Sequence, residues 1–153
     1  MKIRVIAVGR LKEDYLREAQ RHFFRKISLK VPFDIVEVED EKTSERASLK
    51  ENEKTKQREG EKILACLQKN EEVILLDVGA KQMDSKQFTE FLKKSCDADK
   101  HLAFVIGGSL GIGQNVRKKA SMSIGFSNLT FPHQLFRIAL LEQICEAFSR
   151  IRP

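Results

Sequence analysis

Short apolar runs alternate with helix-like segments along the whole chain, and this alternation limits the fold more than any other feature of the sequence. Five runs have the apolar or β-branched character of strands, at residues 3–8, 33–38, 73–78, 102–106 and 122–126. Strands that alternate with helices form parallel sheets covered on both faces. We therefore predict an α/β fold, with one domain spanning residues 1–153.

Helical spacing of apolar residues fills most of the intervals between these runs. Asp84 or Ser85 can cap the second of the clear helices. The predicted helices cover residues 15–27, 85–96, 115–120 and 133–151.

Residues 41–62 are dense in lysine and glutamate, and a helical pattern becomes convincing only at Ile63. Charge runs of this kind are usually the solvated face of a helix. The other interpretation is a segment that is mobile or that a partner orders.

The last predicted helix is too apolar to bury its side chains against a single surface. One surface is its own sheet, and the other is best supplied by a second copy of the chain, which predicts a symmetric homodimer. The alternative is a helix covered entirely within the monomer. Its two adjacent apolar stripes are formed by Ile138, Leu141, Cys145 and Phe148, and by Phe136, Leu140, Ile144, Ala147 and Ile151.

Net charge and the distribution of apolar residues limit the partners. The formal charge of +6 favours a polyanion such as RNA. No run reaches the roughly 18 apolar residues of a membrane span, and the charged start MKIR leaves no room for a signal peptide, so we predict a cytoplasmic protein. Cys66, Cys96 and Cys145 form no CxxC pair and have no histidine at ligand spacing, so no metal site is predicted.

Glycines follow several of the predicted strands, at 76–79 and 106–111, and a turn follows the last strand at 126–132. Ligands of open parallel sheets bind beyond the carboxyl ends of the strands. Residues 108–113 have P-loop spacing, but Gln114 and Asn115 stand where a phosphate site needs lysine and a hydroxyl residue. A ligand with little negative charge suits these loops better.

Several segments together resemble the RlmH (YbeA-type) family of SPOUT methyltransferases. The match runs in order through nearly the whole chain and is most specific where IGGS is followed by FSNLTFPHQ. The other segments are MKIRVIAVGRLKEDY, FDIVEVEDEK, REGEKIL, VILLDVGAK and LLEQ.

The resemblance implies a SPOUT-type fold with a C-terminal trefoil knot and a homodimer. It implies methyl transfer from S-adenosylmethionine to N3 of a pseudouridine in 23S rRNA, on the assembled ribosome. By motif match, the cofactor pocket would be lined by Leu76, Gly107, Phe126, Ser127, Asn128, Leu129, Thr130 and Phe131.

Three residues are candidates for the catalytic cleft. Glu142 and Arg137 match polar positions of the family there, and His133 is a candidate proton acceptor because an unperturbed imidazole titrates near neutrality. The alternatives are an ion pair of Glu142 with Arg150 or Arg137, and a capping or packing role for His133.

The last helix departs from the family pattern. Cys145 and Glu146 stand where members usually have tyrosine and arginine, and residues 151–153 have no counterpart of the family's closing Tyr-His segment. Two alternatives follow. One is a non-catalytic relative that binds RNA or the ribosome and keeps the cofactor pocket. The other is a SPOUT methyltransferase that acts on tRNA or on a ribose hydroxyl.

Overall fold

All the strands of the computed structural model, which describes residues 1–153, pair in parallel in one sheet of order β2-β1-β4-β3-β5. The register places Ile3 beside both Phe33 and Leu102, and Ile74 beside Phe104. The strands are β1 (Ile3–Val8), β2 (Phe33–Val38), β3 (Glu71–Leu76), β4 (His101–Ile106) and β5 (Met122–Ile124). The helices are α1 (Asp14–Ser28), α2 (Leu49–Cys66), α3 (Ser85–Asp97), α4 (Gln114–Lys119) and α5 (His133–Ile151).

Helices cover both faces of the sheet, which confirms the predicted α/β architecture. Alternate residues of each central strand enter different cores: Val5 of β1 packs with residues of α1, α3 and α5, whereas Ile6 packs with residues of α2 and α4. Because β1, β3 and β4 are buried on both faces, they are almost continuously apolar. None of the helices is both long and apolar enough to span a membrane. The trefoil knot stays a prediction from the family resemblance.

The third strand ends earlier than the sequence indicates. It stops at Leu76, because Asp77 begins a tight turn in which the Ala80 N–H donates to the Asp77 carbonyl at 3.1 Å. The fifth strand likewise stops at Ile124, since the Gly125 N–H donates to the Lys81 carbonyl at 3.0 Å. Asp77, which the sequence placed within the third strand, therefore lies in the loop that follows β3.

The charged segment contains a helix, as the first interpretation of residues 41–62 proposed. Ser48 caps α2 by accepting a hydrogen bond from the Glu51 N–H at 3.2 Å. The buried side of α2 is formed by Thr55, Glu59, Gly60 and Ile63. Lysines and glutamates therefore occupy mainly its solvated face.

Candidate functional site

A cleft of about 460 Å³ opens at the carboxyl ends of β3 and β4, against the first turn of α5. This is the edge where ligands of open parallel sheets bind. The two strand ends and the segment before α5 contribute Leu76, Asp77, Val78, Ile106, Gly107, Gly108, Ser109, Gly111, Ile112, Thr130, Phe131, Pro132, His133 and Phe136.

The backbone of the glycine-containing loop after β4 forms one wall of the cleft, and at Gly107 it leaves no room for a side chain. A Cβ atom on Gly107 would lie 2.9 Å from the backbone of Gly111 and from Ile112 Cγ1. Gly111 has a φ of +93°, which favours glycine. These two residues let the backbone itself form the surface that a ligand meets.

Charge in the cleft is sparse. Asp77 is the only acidic lining residue, and no lysine or arginine lines the cleft. Arg117, outside the lining, donates from Nη1 to Asp77 Oδ2 at 2.5 Å and holds the pKa of that carboxyl below its usual range. A phosphate group would find no cation among the lining residues, so the cleft suits a ligand with little negative charge.

His133 brings a proton acceptor to the cleft. Burial, assisted by the charge of Arg137, lowers the pKa of His133 below 6.5. The imidazole is therefore neutral at pH 7 and has a nitrogen lone pair available.

Comparison with known proteins places the chain in a family. Residues 1–152 match the family described as "Predicted SPOUT methyltransferase". The chain belongs to the SPOUT methyltransferase family. It is a methyltransferase and so requires a methyl donor.

Curated relatives match this SPOUT methyltransferase over nearly their full length. A protein of Clostridium beijerinckii named "Ribosomal RNA large subunit methyltransferase H" is 43% identical, covering 99% of this chain and 96% of its own. One of the same name from Clostridium acetobutylicum is 42% identical, covering 100% and 98%. "Ribosomal RNA large subunit methyltransferase H 1" of Thermoanaerobacter pseudethanolicus is 40% identical, covering 97% of each chain.

Half of the residues predicted to bind the cofactor line the cleft. These are Leu76, Gly107, Thr130 and Phe131. Phe126 instead lines an adjoining apolar hollow of about 380 Å³. Ser127, Asn128 and Leu129 line neither cavity, and the Leu129 N–H donates to Ser127 Oγ at 3.0 Å.

Of the three predicted catalytic residues, the structure places His133 in the cleft and Glu142 at the adjoining hollow. Glu142 accepts a hydrogen bond from Gln143 Nε2 at 3.2 Å. Neither alternative ion pair of Glu142 forms, because Arg150 pairs with Glu146 at 3.6 Å and Arg137 pairs with Glu37.

Arg137 does not line the cleft and is only 1% exposed. Its guanidinium donates to the Gly9 carbonyl at 2.9 Å, to Gln20 Oε1 at 3.2 Å and to the Glu37 carboxylate. These hydrogen bonds hold α5 against α1 and against the carboxyl ends of β1 and β2. This placement supports a structural role, and the catalytic role stays an untested prediction.

Asp77 and Phe136 line the cleft but were absent from the predicted site. The sequence does indicate Asp77 as a candidate, since this residue directly follows a buried strand at the ligand-binding edge. Its partner Arg117 is 40 residues away in the sequence, and no local pattern connects the two.

Proposed function

We propose that this methyltransferase transfers a methyl group from S-adenosylmethionine to N3 of a pseudouridine in 23S rRNA, on the assembled ribosome. One observation carries the proposal: curated relatives at 40–43% identity, named for ribosomal RNA large-subunit methylation, align with almost the whole chain. The net charge of +6 supports an RNA substrate, because phosphate neutralisation dominates nucleic-acid affinity. A ribosomal substrate implies a cytoplasmic protein. We further propose that residues 1–153 form one domain.

The cleft fits S-adenosylmethionine in size and chemistry. Its volume of about 460 Å³ lies within the roughly 300–1,000 Å³ of small-molecule sites. Leu76, Ile106 and Ile112 provide apolar surface for a purine, and the backbone at Gly107 allows close approach. The absence of lining lysines and arginines agrees with a donor that has no phosphate.

The chemistry requires little from the protein beyond positioning and removal of one proton. S-adenosylmethionine, when bound, supplies an electrophilic methyl group. The imide N–H of the base lies between two carbonyls and loses its proton so that the nitrogen can attack. We assign removal of that proton to neutral His133. The apolar side chains of Phe131 and Phe136 limit the access of water to the cleft. Glu142 is proposed to orient groups near the cleft.

His133 gives the first testable prediction. In the wild type, methyl transfer should fall as the pH drops below the lowered pKa of His133, because protonation removes the acceptor. His133→Asn should lower the single-turnover rate at neutral pH about 100-fold or more. It should also abolish the plateau above the pKa of His133, because the imide proton must then pass to water or hydroxide and the rate keeps rising with pH. Rates between pH 5 and pH 8, with cofactor affinity measured alongside, check the expectation.

Glu142→Gln serves as the comparison for His133→Asn. It should keep the plateau, since it leaves His133 untouched. Unchanged transfer by Glu142→Gln would remove Glu142 from the mechanism. A His133→Asn variant that keeps both the wild-type rate and the plateau would contradict the assignment of His133.

The proposed homodimer is supported by an apolar surface beside the cleft. The hollow of about 380 Å³ includes Leu135 and Phe131, each 42% exposed. The rest of its lining is also almost entirely apolar: Phe23, Phe126, Phe136, Ile138, Ala139 and Glu142. A second copy that buries this surface would also cover the face of α5 that the rest of the monomer leaves exposed.

Leu135→Asp is expected to convert the dimer to a monomer, because it places a charge in the apolar contact. Analytical ultracentrifugation measures the change in mass. Leu49→Asp is the control, since Leu49 is 87% exposed and lies outside the hollow. A wild-type monomer, or a Leu135→Asp dimer of unchanged affinity, would contradict the assignment of this surface.

Mapping the product tests substrate and position together. Ribosomes from cells that lack the modification are incubated with the protein and S-adenosylmethionine, and the RNA is digested for mass spectrometry. The proposal predicts a methyl group on N3 of a 23S rRNA pseudouridine. Methylation of a tRNA or of a ribose hydroxyl would point to a different SPOUT activity.

A further inference from the structure

Asp77 is a carboxylate held in place before any ligand arrives. Its backbone begins the turn after β3, where the Asp77 N–H donates to the Ile124 carbonyl at 3.0 Å. Its side chain accepts a hydrogen bond from Arg117 at 2.5 Å, and the backbone of Gly79 also favours the charged form of the carboxyl. The side chain is therefore both ionised and fixed in direction.

The pair of Asp77 and Arg117 joins the two strand ends that form the cleft. Asp77 follows β3, and Arg117 belongs to α4, which begins at the end of the glycine loop after β4. Both partners are partly exposed, with side chains 24% and 35% accessible. A pair that remains partly exposed contributes only modestly to stability, and its position at the cleft leaves the carboxylate accessible to a ligand.

The carboxylate differs in kind from the other polar side chains of the cleft. Ser109 and Thr130 carry hydroxyls and His133 a neutral imidazole, which donate as well as accept, whereas an ionised carboxylate only accepts. Oδ2 of Asp77 already accepts from Arg117, but each carboxylate oxygen has two lone-pair sites, so the group can still accept from two adjacent O–H donors. In a nucleoside, the vicinal hydroxyls of the ribose are such a pair.

We propose that Asp77 binds the ribose hydroxyls of the cofactor and that Arg117 positions the carboxylate. This inference rests on the proposed use of S-adenosylmethionine. The cofactor's α-ammonium is also a donor, so the experiment has to separate the two groups.

Isothermal titration with three ligands provides that separation: S-adenosylhomocysteine, its analogue lacking both ribose hydroxyls, and 5′-methylthioadenosine, which lacks the amino acid. Loss of the hydroxyls should weaken binding to the wild type about tenfold or more, since hydrogen bonds to ionised groups are the strong ones. The same loss should have little effect on binding to Asp77→Asn. Asp77→Asn should also weaken S-adenosylhomocysteine and 5′-methylthioadenosine by the same factor.

Asp97→Asn is the matched control, because Asp97 is an exposed carboxylate outside the cleft. Arg117→Met provides a second variant, which keeps Asp77 but releases its side chain, and it should reduce the hydroxyl dependence partially. It also supplies the comparison if Asp77→Asn does not fold by circular dichroism.

Each of the other possible results overturns a specific part of the proposal. Equal hydroxyl dependence in the wild type and the variants overturns the assignment of Asp77 and leaves the proposed function intact. A loss confined to S-adenosylhomocysteine identifies the α-ammonium as the partner and overturns the ribose assignment. A wild type that binds none of the ligands overturns the proposed function, and the assignment with it.

Discussion

Gly107→Ala is expected to weaken S-adenosylmethionine binding about tenfold to a hundredfold. The added Cβ atom would lie 2.9 Å from the backbone carbonyl group of Gly111 and from Ile112 Cγ1. Overpacking of this kind costs about 1–3 kcal/mol and displaces the backbone, and here the displaced backbone is the wall of the cleft. Titration of the cofactor against the purified variant measures the loss.

Gly79→Ala is the control for this substitution. Gly79 lies in the turn after β3, but a Cβ atom there meets no heavy atom within 4 Å. We expect cofactor affinity within about twofold of the wild type, because surface substitutions of this kind change free energies by about 0.5 kcal/mol or less. Wild-type affinity in Gly107→Ala would show that the loop after β4 does not contact the cofactor.

Arg137→Met should lower the free energy of unfolding by about 2–3 kcal/mol. The substitution keeps a long apolar side chain but leaves the Gly9 carbonyl without its donor and Glu37 without its counter-charge. The cost is below that of a fully buried ion pair, because the Glu37 side chain is 35% exposed and can be hydrated. Urea denaturation followed by circular dichroism measures the change.

The matched control is Arg150→Met on the same helix. Arg150 is 57% exposed and pairs with Glu146 at 3.6 Å, so its loss should cost less than about 1 kcal/mol. If Arg137→Met kept wild-type stability but lost methyl transfer, Arg137 would be a catalytic residue, as the family resemblance implied.

Local patterns were sufficient to predict most of the elements. The buried strands are apolar on both faces, and α5 begins and ends as its apolar spacing indicates. α2 was hard to recognise because the side that it buries is mostly not apolar. Thr55, Glu59 and Gly60 face the interior, and a Cβ atom on Gly60 would displace the amide of the Asn115 side chain.

The position of the site was predictable, but its connections were not. Glycines after β4 and the turn before α5 indicated the ligand-binding edge, and Leu76, Gly107, Thr130 and Phe131 do meet there. The pairing of Asp77 with Arg117 and the burial of Arg137 against Gly9 depend on contacts between distant segments. Periodicity and residue type carry no information about such contacts.

Transfer of a labelled methyl group from S-adenosylmethionine to ribosomes that lack the modification tests the central claim most directly. Free rRNA and the Gly107→Ala variant are measured alongside. We predict incorporation into the 23S rRNA of assembled ribosomes by the wild type, little incorporation into free rRNA, and a much reduced rate with Gly107→Ala at limiting cofactor. No incorporation by a wild-type protein that binds the cofactor would contradict the proposed activity and would favour a relative that binds the ribosome without methylating it.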